Sequence, residues 1–77
     1  MITIEDMIKT KITLLKQMDY YIINEIGDEE CTDTWLEYGV PDEATEEDYR
    51  EIAENESQWS SICTIFGDLI RQYGEEE

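Results

Sequence analysis

Apolar side chains return every three or four residues through the first third of the chain: Ile4, Ile8, Ile12, Leu15, Met18, Ile22 and Ile26. That step is one helical turn, so the pattern predicts an amphipathic helix over residues 4–26. Asp19, beside Met18, falls on the same stripe. Met7, Leu14 and Tyr21 widen it enough to meet two neighbours. Thr3 and Asp6 have the spacing of a capping box, with Ile2 and Met7 placed as a hydrophobic staple. Gly27 ends the element, because glycine takes the left-handed conformation after a helix without steric cost. The β-branched and aromatic run Tyr20–Ile23 would also suit a strand. The helical period passes straight through it, which favours helix.

The period returns later. Tyr49, Ile52, Ala53, Trp59, Ile62, Cys63, Phe66, Leu69, Ile70 and Tyr73 follow helical steps, preceded by a second capping-box pair, Thr45 and Asp48. Steps of about 100° put Glu47, Glu51 and Glu54 on one face, opposite Tyr49, Ile52 and Ala53. Glu56 would fall at the centre of the apolar face of one continuous helix, where an unpaired carboxylate is costly. A break at Asn55-Glu56-Ser57 avoids that cost, with Asn55 or Ser57 capping the next helix. The expectation is therefore helices near 45–55 and 57–73, with Cys63 in the core. Gly74 then stops the last helix, and 75–77 is an acidic tail.

Between these elements, 28–44 reads as an acidic connector. Thr32 or Asp33 would cap a short helix or turn near 33–38, closed by Gly39, and Pro41 blocks any continuation. Trp35, Leu36 and Val40 are expected as lids on the core. The result is an all-α protein, a small bundle of about three helices forming one acidic domain over 1–77.

Composition adds charge to this picture. The 77 residues carry 21 acids against five bases and no histidine, a formal net charge of -16. The imbalance is one-sided: residues 1–26 hold four acids and three bases, whereas 27–77 hold seventeen and two. Residues 42–56 alone include eight carboxylates and one arginine. Such a chain lacks the basic patches that bind nucleic acid or anionic membranes directly. No apolar run has the length of a membrane span, and no leader pattern opens the sequence. Two cysteines, Cys31 and Cys63, without such a leader point to reduced thiols and a cytoplasmic setting.

The same inventory removes most chemistry. Without histidine the usual general base near neutral pH is missing. Two cysteines 31 residues apart in sequence make no zinc site. Counting from Asp28 or Asp42 fails the calcium-loop pattern, which needs glycine sixth and glutamate twelfth. A glycosidase pair of carboxylates would need a sugar-sized cleft that a chain of this length has little room to build. The expectation is a non-enzymatic protein with neither cofactor nor metal.

What remains is a surface. Carboxylates at three- and four-residue spacing lie about 5–6 Å apart, comparable with phosphates that rise 3.4 Å each along a strand. Asp42, Glu43, Glu47, Glu51 and Glu54, extended by Asp28, Glu29, Glu30 and Glu37, would present such charges, with Tyr38 at the rim. In size, acidity and helical pattern the chain resembles the DNA-mimic proteins of phages and mobile elements, among them anti-restriction and anti-CRISPR proteins. That resemblance implies an inhibitor of a basic, nucleic-acid-binding nuclease of host defence, either a CRISPR effector or a restriction enzyme. The phrase from Trp35 to Asp42, followed by Ala44 to Tyr49, also resembles small bacterial and phage proteins and implies no activity of its own. The alternative is a helical interaction module binding through an apolar helix face: a homodimer, an antitoxin-like neutraliser or a small regulator.

Overall fold

The computed structural model describes residues 1–74, and the expected tail at 75–77 lies outside them. Four α-helices follow in order: α1 (Ile4–Tyr20), α2 (Glu29–Glu37), α3 (Glu46–Glu54) and α4 (Glu56–Leu69). α1 and α4 each continue into a π-helical turn, Tyr21–Ile26 and Ile70–Gly74. There is no strand among the described residues, so helical periodicity prevails at Tyr20–Ile23. The local compromise is a wider turn, in which Gly27 N–H reaches Ile22 C=O at 3.1 Å, five residues back. Gly27 itself is left-handed, at φ 66.

The caps explain where each helix starts. Thr3 with Asp6, and Thr45 with Asp48, form reciprocal capping boxes at α1 and α3. Asn55 accepts from Gln58 N–H and opens α4, which leaves Glu56 exposed in its first turn and confirms the break. α2 differs from expectation. It is a full helix of nine residues, making four helices in place of three, and its cap is Asp28 rather than Thr32 or Asp33. The Asp28 carboxylate accepts from the N–H groups of Glu30 and Cys31. Acids that read as an exposed connector are thus a cap and a first turn, where the helix dipole favours negative charge.

α1 and α3 run antiparallel, joined at one end by Arg50 to Glu5 (2.6 Å) and at the other by Lys16 to Glu46 (2.9 Å). α4 runs parallel to α1, with Lys11 over the Trp59 ring and Tyr21 edge-on to Phe66. The core holds Leu15 from α1, Ile22 from the π-helical turn after it, Cys31 and Trp35 from α2, Ile52 from α3 and Ile62 and Leu69 from α4, closed by Val40. Trp35 is fully buried and is the centre of the domain rather than a lid. Its ring lies 5.9 Å from that of Phe66. Val40 is likewise fully buried, while Leu36 is half-buried.

Cys63 is the misplaced expectation: it is exposed. The buried positions of α4 are Ile62 and Leu69, seven residues apart, and Cys63 stands about 100° round the helix from Ile62. The sequence pattern made the α4 stripe too wide.

Candidate acidic binding surface

Two helices carry the acid outward. On α3, Glu47, Glu51 and Glu54 are exposed while Tyr49, Ile52 and Ala53 are buried, as the periodicity requires. Glu54 is not free, because it accepts from Arg50 Nε at 3.1 Å, and the same guanidinium holds Glu5. That ion pair pulls the Glu5 carboxyl below its ordinary value, chiefly through the hydrogen bond from Arg50. Glu46, on the α1 side, is neutralised by Lys16. The outward ridge of α3 therefore reduces to Glu47 and Glu51, with exposed Asp42 and Glu43 ahead of it.

α2 supplies a second ridge that sequence reasoning missed. Glu29, Asp33 and Glu37 are all exposed and follow at four-residue steps, so they stack along one face, advancing about 6 Å each. In the sequence Asp33 stands out only as a cap candidate, because the i, i+4, i+8 spacing carries meaning only once 29–37 is a helix rather than part of a connector over 28–44. The other expected residues divide. Asp28 is consumed by capping, Glu30 accepts from the Tyr73 hydroxyl at 3.4 Å, and Tyr38 stands about half exposed beside the α2 ridge.

Among the described residues the four ion pairs engage only Glu5, Glu46, Glu54 and Asp68. The paired bases lie on α1, α3 and the end of α4, so no described ion pair touches α2 or engages Glu47 or Glu51. Both ridges stand on capped helices packed over a shared core, which fixes the spacing of their charges. Glu43 adds a local feature: it is the one described non-glycine residue with positive φ, at 54. This left-handed turn follows Pro41 and Asp42 and leads into the Thr45 cap.

Beneath the surface, Asp19 has a role the sequence did not disclose. Its half-buried carboxylate accepts from Trp35 Nε1 at 2.9 Å and from the Tyr49 hydroxyl at 3.2 Å, tying α1 to α2 and α3. Burial, with Asp19 as the next cause, pushes the Tyr49 phenol up to about 12. A carboxylate on the α1 apolar stripe, in a chain with tryptophan and tyrosine donors, was the available signal. Cys63 is exposed, yet partial desolvation raises its thiol above the ordinary value, against a smaller opposing effect of Lys11. It is thus less ionised at neutral pH than a free thiol.

Among the described residues no three His, Cys, Asp or Glu side chains converge as metal ligands do, and no helix is long and apolar enough to cross a membrane. The concavities are shallow grooves. No family model matches the chain, and comparison with curated proteins and with solved structures likewise finds no match.

Proposed function

We propose that this is a non-enzymatic acidic binding protein that occupies the nucleic-acid channel of a basic partner, as a mimic of the polyanion. One observation carries the reading: the ridges Glu29–Asp33–Glu37 and Glu47–Glu51 are exposed, regularly spaced and outside every described ion pair. A solvated helix face needs no such uniformity of sign, and charge of one sign on rigid helices works against the fold through self-repulsion. Asp42 and Glu43 precede α3 and add exposed charge over a groove shared with Lys16 and Asn24, and Tyr38 supplies an aromatic contact beside Glu37. The class resemblance names bacterial defence nucleases as the partners to test first.

The test is affinity capture from bacterial lysate with stepwise salt elution, followed by competition. Captured proteins are challenged with labelled duplex DNA in the presence of this protein. Displacement of DNA, weakened steeply by salt, supports mimicry, because rim charges act through screened steering. The Glu29→Lys, Asp33→Lys, Glu37→Lys triple variant and the Glu47→Lys, Glu51→Lys double variant should each lose displacement while keeping their helical circular dichroism. A partner without a basic channel, or an affinity indifferent to salt, would sink the idea.

A further inference from the structure

The side of the molecule away from the acid has the opposite character. Between α1 and α4 runs an open apolar groove lined by Leu14, Met18 and Tyr21 on one bank and Phe66 and Ile70 on the other. Leu14 is 42% exposed and Met7, one heptad earlier, 52%. Gln17 also lines the groove, and beside it stand uncharged Thr10 on α1 and Cys63 and Gly67 on α4, while Asp6 and Lys11 stand together at the Met7 end. Residues 57–67 contain no charged side chain at all, in a chain where 21 acids and five bases make up a third of the sequence. Lys11, at the Met7 end, is already occupied over Trp59 and against the Ala53 carbonyl.

We propose that this α1–α4 face is the docking surface for a second copy of the chain, in a two-fold dimer that directs both sets of acidic ridges outward. The charge distribution selects the occupant. Two chains of net charge -16 repel one another through α2 and α3, and this face is where they meet few like charges, with Asp6 standing at its Met7 end. A basic partner finds little counter-charge here, whereas a second copy offers the same apolar strip, as a two-fold contact requires. Met7, Leu14 and Tyr21 recur at seven-residue spacing, the period of a helix seam that packs against another helix.

The size is adequate. α1 has 17 residues and α4 has 14, so the two helices run about 25 and 21 Å, with the open groove between them. A standard interface takes about 800 Å² per partner, roughly 15% of this chain's 5199 Å². A domain of this length also gains from extra apolar burial.

Sedimentation velocity across a concentration series, at low and high salt, tests the dimer. We expect a dimer whose dissociation constant falls as salt rises, since salt screens repulsion between copies. That sign is opposite to the one expected for a basic partner, so failure here and failure of the mimic reading are distinguishable. Leu14→Glu and Gln17→Glu, each adding charge to the face, should raise the dissociation constant by about tenfold or more. Asn24→Glu, which adds the same charge beside Asp42 and Glu43, should change it about twofold at most. Circular dichroism checks each variant, and Gln17→Glu, at an exposed position, carries the test if Leu14→Glu unfolds. A strict monomer at high concentration and high salt overturns the proposal, as does self-association that salt weakens or that neither face variant affects.

Discussion

Truncating Asp19 to alanine removes one carboxylate and strands two donors. Trp35 is fully buried and Tyr49 is 8% exposed, so neither Trp35 Nε1 nor the Tyr49 hydroxyl has ready access to water. An unsatisfied buried donor costs about 1–3 kcal/mol, and the phenol can turn to soften its share. Removing one negative charge from an over-acidic protein recovers a few tenths of a kcal/mol, roughly, at surface screening. The net expectation is a loss of about 2–3 kcal/mol, in a domain whose whole stability is on the order of 4–12 kcal/mol. Such a loss would lower Tm by roughly 10–20 °C for a chain of this size. Urea unfolding followed by tryptophan fluorescence and circular dichroism measures it. Asp19→Asn keeps one acceptor and should lose about half as much. Combined with Tyr49→Phe, Asp19→Ala should be non-additive by about 1 kcal/mol, because the two groups share one hydrogen bond. A loss below about 0.5 kcal/mol, or simple additivity with Tyr49→Phe, would refute the claim that this carboxylate ties three helices together.

Asn55→Ala removes the side chain that accepts from Gln58 N–H at the start of α4, and it should cost about 1 kcal/mol in urea unfolding, with Asn55→Asp close to neutral. The Tyr49 phenol is raised to about 12, so its contribution is complete below the unfolded value near 10 and is lost as pH climbs towards 12. Absorbance titration should show a late tyrosine ionisation, coincident with unfolding, that is lost in Tyr49→Phe. Glu43→Gly relieves a non-glycine residue at φ 54 and should stabilise by about 0.5–1 kcal/mol, since the left-handed region costs a side chain about 1–2 kcal/mol and glycine returns part of that as entropy. Thermal melts of Glu43→Gly and Glu43→Ala separate the backbone effect from the lost charge.

The parts of this fold readable from the chain are those set by local chemistry. Thr3 with Asp6 and Thr45 with Asp48 need only their own three-residue spacing, and both boxes form. Glu56 was legible as a break because a carboxylate cannot sit unpaired on an apolar stripe. What failed depended on partners distant in sequence. Cys63 follows the α4 period, yet exposure is decided by how much of α4 its neighbours cover. Asp28 and Asp33 exchanged roles because either can cap, and the choice falls to the register that sends Cys31 and Trp35 inward. Asp19 was invisible as an acceptor because its donors lie 16 and 30 residues away. On the acidic surface, the α3 face followed from periodicity, while the removal of Glu46 and Glu54 by Lys16 and Arg50 required knowing that α1 lies against α3.

The acids can be sorted by what the fold already does with them, and the sorting makes a prediction of opposite sign for binding and stability. Eight stand in first turns: Glu5, Asp6, Glu29, Glu30, Glu46, Glu47, Asp48 and Glu56, where the dipole favours each by about 0.3–1 kcal/mol. Asp28 caps α2 and Asp19 binds the core donors. Asp33, Glu37 and Glu51 have no such use: they are exposed, beyond the first turns of their helices, and outside the described ion pairs. Glu37 is worse placed still, because it ends α2, where the dipole disfavours an acid. If these three serve only the fold, replacing them should cost stability. If they are held for a partner, Asp33→Asn, Glu37→Gln and Glu51→Gln together should stabilise the domain by roughly 0.5–1.5 kcal/mol through relief of repulsion, most strongly at low salt. The same variant should bind a basic partner more weakly. A protein that gains stability as it loses binding is the signature of charge kept for function, and a triple variant that is less stable at low salt would show that this acid belongs to the fold.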